Sequence, residues 1–164
     1  MAPDYHRLNE NSRFYGEIRE DFDADWRHSE RSAIVRAIYH VDEDSLNQSY
    51  RGRRFNAYRS RSGDWGCMFG NGVYTTTVSS KADLFAENQD IHSQLHAVFI
   101  CRIVSNRPQY LRRPDNVRTR PDRGYDSVEA VLTHNGGTVR YPETIVYRED
   151  AIIPVGVILY TRRG

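Results

Sequence analysis

GYDSVEAVLTHNGGTVRYPETIVYREDAIIPVGVILY, residues 124–160, decides the fold. It holds three apolar runs rich in β-branched residues: Val128–Thr133, Thr144–Tyr147 and Val155–Tyr160. Runs this short, bounded by turn residues, read as strands, with Asn135-Gly136-Gly137 turning the chain between the first two. Toward the N-terminus, Ala97–Val104 (AVFICRIV) is the longest apolar run and reads as a buried central strand. Ala33–Val41 (AIVRAIYHV) and Val73–Thr77 read as two more strands. Helical signals are fewer and lie early. Phe14, Ile18 and Phe22 recur at a spacing of four in the acidic segment that ends near Trp26. Leu46, Tyr50 and Phe55 in a polar context suggest a short helix broken by Gly52, and Ser79 or Ser80 can cap a helix running through Leu84. Residues 105–124, with three prolines, read as a long surface loop. The expected class is α+β with a largely antiparallel sheet.

The chain of 164 residues suits one domain, residues 1–164, in which 1–25 form an acidic N-terminal extension. Hydrophobic residues at 38% and charged residues at 27% exclude a wholly disordered chain. No apolar stretch approaches the ~18 residues of a membrane span. The opening MAPDYHRLNEN has neither a basic nor an apolar region of the kind found in signal peptides. Cys67 and Cys101 are too few for a disulfide framework or a zinc site. The expectation is an intracellular domain, cytoplasmic or nuclear, without a metal.

The formal net charge of +1 conceals a division: −5 over residues 1–50, +7 over 51–124 and −1 over 125–164. Two arginine runs, Arg51–Arg61 and Arg107–Arg123, make the middle basic. Interleaved with aromatics, such runs can bind nucleic acid or a phosphorylated ligand, although a solvated face is the commoner outcome. Of 23 basic residues 22 are arginine, and Lys81 is the only lysine. Codon bias explains such a ratio without function. A functional reading is that arginine favours bidentate contacts with phosphate and carboxylate.

Three features carry chemistry. MFGNGVYTTTVSSKADLF (Met68–Phe85) is a glycine loop, a strand and a helix start, a junction that offers backbone N–H groups and hydroxyls to a polar ligand. It has neither the Walker lysine spacing nor the GxGxxG pattern. Glu143 stands in an apolar strand context, YPETIVY, where an outward-facing glutamate is the plain alternative to a functional one. His40 ends an apolar strand, where a structural hydrogen-bonding histidine is commoner than a catalytic one.

The stretch GCMFGNGVYTTTVSSKADLF resembles the poly(ADP-ribose) polymerase-like ADP-ribosyltransferases, whose segment reads FGxGxY followed by a serine-lysine helix start. Gly124–Tyr160 resembles the C-terminal half of the same catalytic domain, with YDSV before one strand and a glutamate in an E-x-hydrophobic-V-Y strand. Both blocks are most similar to small fungal members, which also carry an element like Trp26-Arg27-His28. The resemblance covers most of residues 26–160; its two blocks are specific, and the region between Tyr39 and Asp64 is not. It implies two packed, mainly antiparallel sheets with a few peripheral helices, and a His-Tyr-Glu triad that uses NAD as co-substrate.

By this resemblance Tyr74 and Glu143 fill the tyrosine and glutamate positions. His40, 34 residues before Tyr74, fills the histidine position in a strand, IYH, like the family's own. The rival mapping puts Tyr58-Arg59-Ser60 there, as in arginine-type toxins, but leaves only 15 residues between Arg59 and Tyr74. His40 is the favoured choice. Val41 replaces the glycine whose backbone bonds the nicotinamide amide, and the nicotinamide-contacting serine falls on Ala82, with Ser80 as its possible substitute. Phe85 takes the place of the second stacking tyrosine, Gly72 lies in the loop, and Lys81 lies beside the dinucleotide. The implied activity is transfer of ADP-ribose, as a mono-ADP-ribosylation, to a protein or nucleic-acid acceptor, with NAD hydrolysis as a side reaction. The alternative is an inactive relative that binds ADP-ribose, nucleic acid or protein. In the active case Glu143 stabilises the oxocarbenium-like ribose, His40 fixes a ribose hydroxyl, and Tyr74 and Phe85 sandwich the cationic ring.

Overall fold

The four-residue spacing of Phe14, Ile18 and Phe22 forms the helix it predicts, α1 (Arg13–Ala24), in a computed structural model. The structure describes residues 5–41, 51–59, 67–86 and 93–164, with backbone alone at 51–59. Ser12 caps α1, its hydroxyl accepting the Tyr15 N–H at 3.2 Å, and Tyr15, Ile18 and Phe22 are buried.

The strands are β1 (His6–Arg7), β2 (Ser32–His40), β3 (Arg51–Arg59), β4 (Val73–Thr76), β5 (Leu95–Ile103), β6 (Pro108–Leu111), β7 (Ser127–Ala130), β8 (Thr144–Val146) and β9 (Ile152–Arg163). A short helix, α2 (Ser79–Asp83), follows β4, and two 3₁₀ turns flank β8 (Thr133–Asn135 and Glu149–Ala151). Strands and few helices give the α+β class. The hydrogen-bonded order is β1-β2-β9-β5-β3-β4-β8-β7-β6. Every pairing is antiparallel except β6 with β7.

The two expected sheets are the two halves of this order, joined through β3. Its first residues, Arg51–Phe55, pair with β5, and its last, Phe55–Arg59, pair with β4. Only Phe55 is shared, and bulges lie on either side of it. A strand that changes partners through bulges makes a corner between sheets. Each half covers its own core. Ile38, Val98, Ile100, Val155, Ile158 and Tyr160 pack with α1, whereas Phe69, Tyr74, Val128, Val139 and Ile145 fill the other side.

Several expectations change. Residues 51–59 are strand rather than the end of a short helix, and Leu46 and Tyr50 lie outside the described residues. Pairing with β5 along its first half and with β4 along its second outweighs a sequence, RGRRFNAYR, with little strand propensity of its own. The loop 105–124 contains β6, because a parallel partner, β7, comes from later in the chain. Ser79 and Ser80 do not cap α2, whose N-cap is Val78 with no side-chain bond. The Asn135-Gly136-Gly137 turn is the end of a 3₁₀ turn, closed by Gly136 at φ +80°. Among the described residues no helix is long and apolar enough to cross a membrane.

Candidate functional site

Glu143 directly precedes β8, with 6% of its surface exposed, so the outward-facing alternative does not hold. Its Oε1 lies 3.2 Å from Lys81 Nζ on α2. The same ammonium donates to the Tyr141 carbonyl at 3.2 Å. Thus the single lysine of the chain is the ion-pair partner of the candidate catalytic carboxylate. Burial pushes the Glu143 carboxyl above the ordinary carboxylate range, and the Lys81 charge pulls it part of the way back. Burial lowers Lys81, and Glu143 opposes that shift in turn. Two charges taken out of water in this way contribute little net stability.

What holds Lys81 there is the rest of α2. The Ser79 hydroxyl donates to the Phe22 carbonyl at 2.6 Å. The Ser80 hydroxyl accepts the Arg27 N–H at 3.0 Å and donates to the Asp25 carbonyl at 3.5 Å. Both serines therefore tie α2 to the end of α1, and Ala82 lies wholly inside the α1-side core. Asp83, fully buried, accepts from Tyr160 OH at 2.5 Å and from Arg162 Nε at 2.7 Å, with His28 Nε2 at 3.1 Å. Trp26 packs on Phe22 and Tyr160, and its indole N–H donates to the Arg31 carbonyl at 2.7 Å. Trp26-Arg27-His28 is thus the clamp on α2. Sequence reasoning missed Asp83 altogether. Its signal was an acid four residues from Ser79 in a segment that otherwise reads as surface helix.

The glycine loop is built for contact with its own chain. Gly70, at φ +82°, takes a conformation that suits glycine, and a Cβ there would lie 1.9 Å from the Arg118 carbonyl. A Cβ on Gly72 would meet Ile145 Cγ2 at 2.5 Å. Tyr74 is fully buried among Phe69, Val128 and Ile145. Its hydroxyl accepts the Phe69 N–H at 3.0 Å and donates to the Gly70 carbonyl at 2.8 Å. Burial pushes that phenol well above its usual range. Tyr74 therefore presents no ring face to solvent, while Phe85, beyond α2, is 39% exposed.

His40 lies at the end of β2 opposite Gly156, with Phe14 edge-on at 4.8 Å. It is buried, as is Val41, whose N–H donates to the Val155 carbonyl at 2.9 Å. β9, β5 and β3 intervene between β2 and β4, so the backbone does not set His40 beside Tyr74. The rival Arg59 is nearer in the ladder. Tyr58 pairs with Tyr74 and Arg59 with Val73. The structure thus brings Lys81 to Glu143 and Arg59 to the Tyr74 strand, and leaves His40 on the far half. Among the described residues no group of three His, Cys, Asp or Glu side chains is placed to hold a metal. Comparison with protein-family models and with curated proteins finds no match for the chain.

Proposed function

We propose that the chain is an NAD-dependent ADP-ribosyltransferase in which Glu143 is the catalytic carboxylate. The observation that carries the reading is the buried Glu143–Lys81 pair at 3.2 Å, formed by two of the motifs that resemble the family. A carboxylate held on a rigid strand edge, away from water, suits a reaction in which positive charge develops on a ribose. The Lys81 charge favours the ionised form of that carboxylate and offsets part of the effect of burial. As the nicotinamide–ribose bond breaks, Glu143 stabilises the cationic sugar and orients the acceptor. Phe85 offers an exposed aromatic face to the cationic ring, and Tyr74 secures the glycine loop. The acceptor is a protein or a nucleic acid.

The first-motif residue is His40 by resemblance and Arg59 by strand adjacency. The KM for NAD of His40→Ala and of Arg59→Ala identifies which of them holds the nucleotide.

A second reading, an inactive relative that binds ADP-ribose or another partner, is favoured by the enclosure of Tyr74 and by Val41 and Ala82 at family-critical positions. Incubation with NAD labelled in the adenylate, in the presence of a lysate, separates the two. The transferase reading expects label on protein or nucleic acid. If no nicotinamide is released and all label stays in NAD, the inactive reading stands.

A further inference from the structure

The second arginine run is not absorbed by this chemistry. Residues 105–126 contain six arginines and three aspartates. The aspartates are used internally. Asp126 accepts the N–H groups of Asn106 and Arg107 at 2.9 and 3.0 Å. Asp115 and Asp122 pair with Arg118 at 3.1 and 2.9 Å, and Gln109 donates to Asp122 at 2.5 Å. Arg118 is thereby the internal rivet of an ordered arch. Among the described residues no carboxylate lies within ion-pair reach of Arg107, Arg120 or Arg123, all exposed.

Those three arginines line one cleft of about 370 Å³, with Tyr125 and Tyr147 on its walls; the three aspartates that also line it are engaged, Asp122 by Arg118, Asp126 by the Arg107 N–H and Asp150 by Arg148. Tyr125 is 48% exposed. A second, wider cavity of about 780 Å³ lies against the same Thr119–Arg123 ridge. Exposed arginines without ion-pair partners, an exposed ring and two cavities that share one ridge are what a strand of phosphates and bases needs. An acidic peptide would use the arginines and leave the ring without a role. Tyr147 follows β8 and Glu143 precedes it, so the cleft lies roughly 13 Å along that strand from the carboxylate.

We infer that the 105–126 arch is a binding surface for single-stranded nucleic acid. Arg107, Arg120 and Arg123 take the phosphates, and Tyr125 stacks on a base. The inference stands whether or not the chain transfers ADP-ribose.

The test is fluorescence anisotropy with labelled 15-nucleotide U and dT strands over a series of salt concentrations. Polyglutamate of matched charge and uridine monophosphate serve as competitors. Affinity should fall steeply with salt, and neither competitor should displace the strand at equal charge or nucleotide concentration. The triple variant Arg107→Gln/Arg120→Gln/Arg123→Gln should flatten the slope of log K against log salt by about 2, since each single-strand phosphate contact contributes roughly 0.7. Tyr125→Ala should weaken binding about tenfold with the slope unchanged. These side chains are exposed, so both variants should keep the parent melting temperature. No oligonucleotide binding would overturn the inference, as would equal competition by polyglutamate or by the mononucleotide. An unchanged salt slope in the triple variant, or unchanged affinity in Tyr125→Ala, would also overturn it.

Discussion

Replacing Lys81 by methionine keeps the bulk of the side chain and removes its charge, leaving Glu143 buried with 6% exposure and without its ammonium. Breaking one side of a buried ion pair costs about 3–5 kcal/mol when the remaining charge has no other outlet. Glu143 has one, because it can take up a proton. Its native carboxyl already lies above the ordinary range through burial, and loss of Lys81 raises it further. The native state then binds a proton more tightly than the unfolded chain. Stability is therefore fullest below the unfolded carboxyl value, near 4.3, and falls as pH rises toward the raised native value. Within that window the slope is about −1.4 kcal/mol per pH unit. Urea denaturation of Lys81→Met between pH 5 and pH 8 should show this fall, larger than in the parent. The double variant Lys81→Met/Glu143→Gln should recover most of the loss at pH 8. Parallel pH profiles for Lys81→Met and parent, with no recovery in the double variant, would refute the buried pair.

Two further outcomes follow from the packing around the site. Gly70→Ala puts a Cβ at 1.9 Å from the Arg118 carbonyl on a backbone at φ +82°. It should destabilise by more than about 3 kcal/mol, read as a collapse of the thermal melting temperature, whereas Gly16→Ala, with open space around its Cβ, should be neutral or stabilising. Asp83→Asn removes the charge that Tyr160, Arg162 and His28 share. A loss of about 2–4 kcal/mol in chemical denaturation is expected, and α2 amides should exchange faster with solvent than those of β5.

The strands of the C-terminal block and β5 were legible because apolar, β-branched runs sit between clear turn residues. α1 was legible from its period. Less visible were elements whose stability comes from distant partners. β3 has an arginine-rich, glycine-containing sequence and exists by pairing first with β5 and then, past Phe55, with β4. β6 sits in a proline-rich segment and exists by pairing with β7. Ser79 and Ser80 look like helix caps, yet their hydroxyls serve carbonyls of α1 and its C-terminal end. At the site, Glu143 and Lys81 were each singled out, one by its apolar strand and the other by its solitude among arginines. Their contact was not legible, because β8 and α2 meet only through the fold. The burial of Tyr74 was equally hidden. A tyrosine after FGNG reads the same whether its ring faces a ligand or the loop's own backbone.

Nicotinamide release from NAD, measured for the parent and for Glu143→Gln with folding checked by circular dichroism, tests the central claim most directly. Release by the parent is expected, with a drop of at least two orders of magnitude in the variant and the folded spectrum retained. Equal turnover by a folded Glu143→Gln would contradict it.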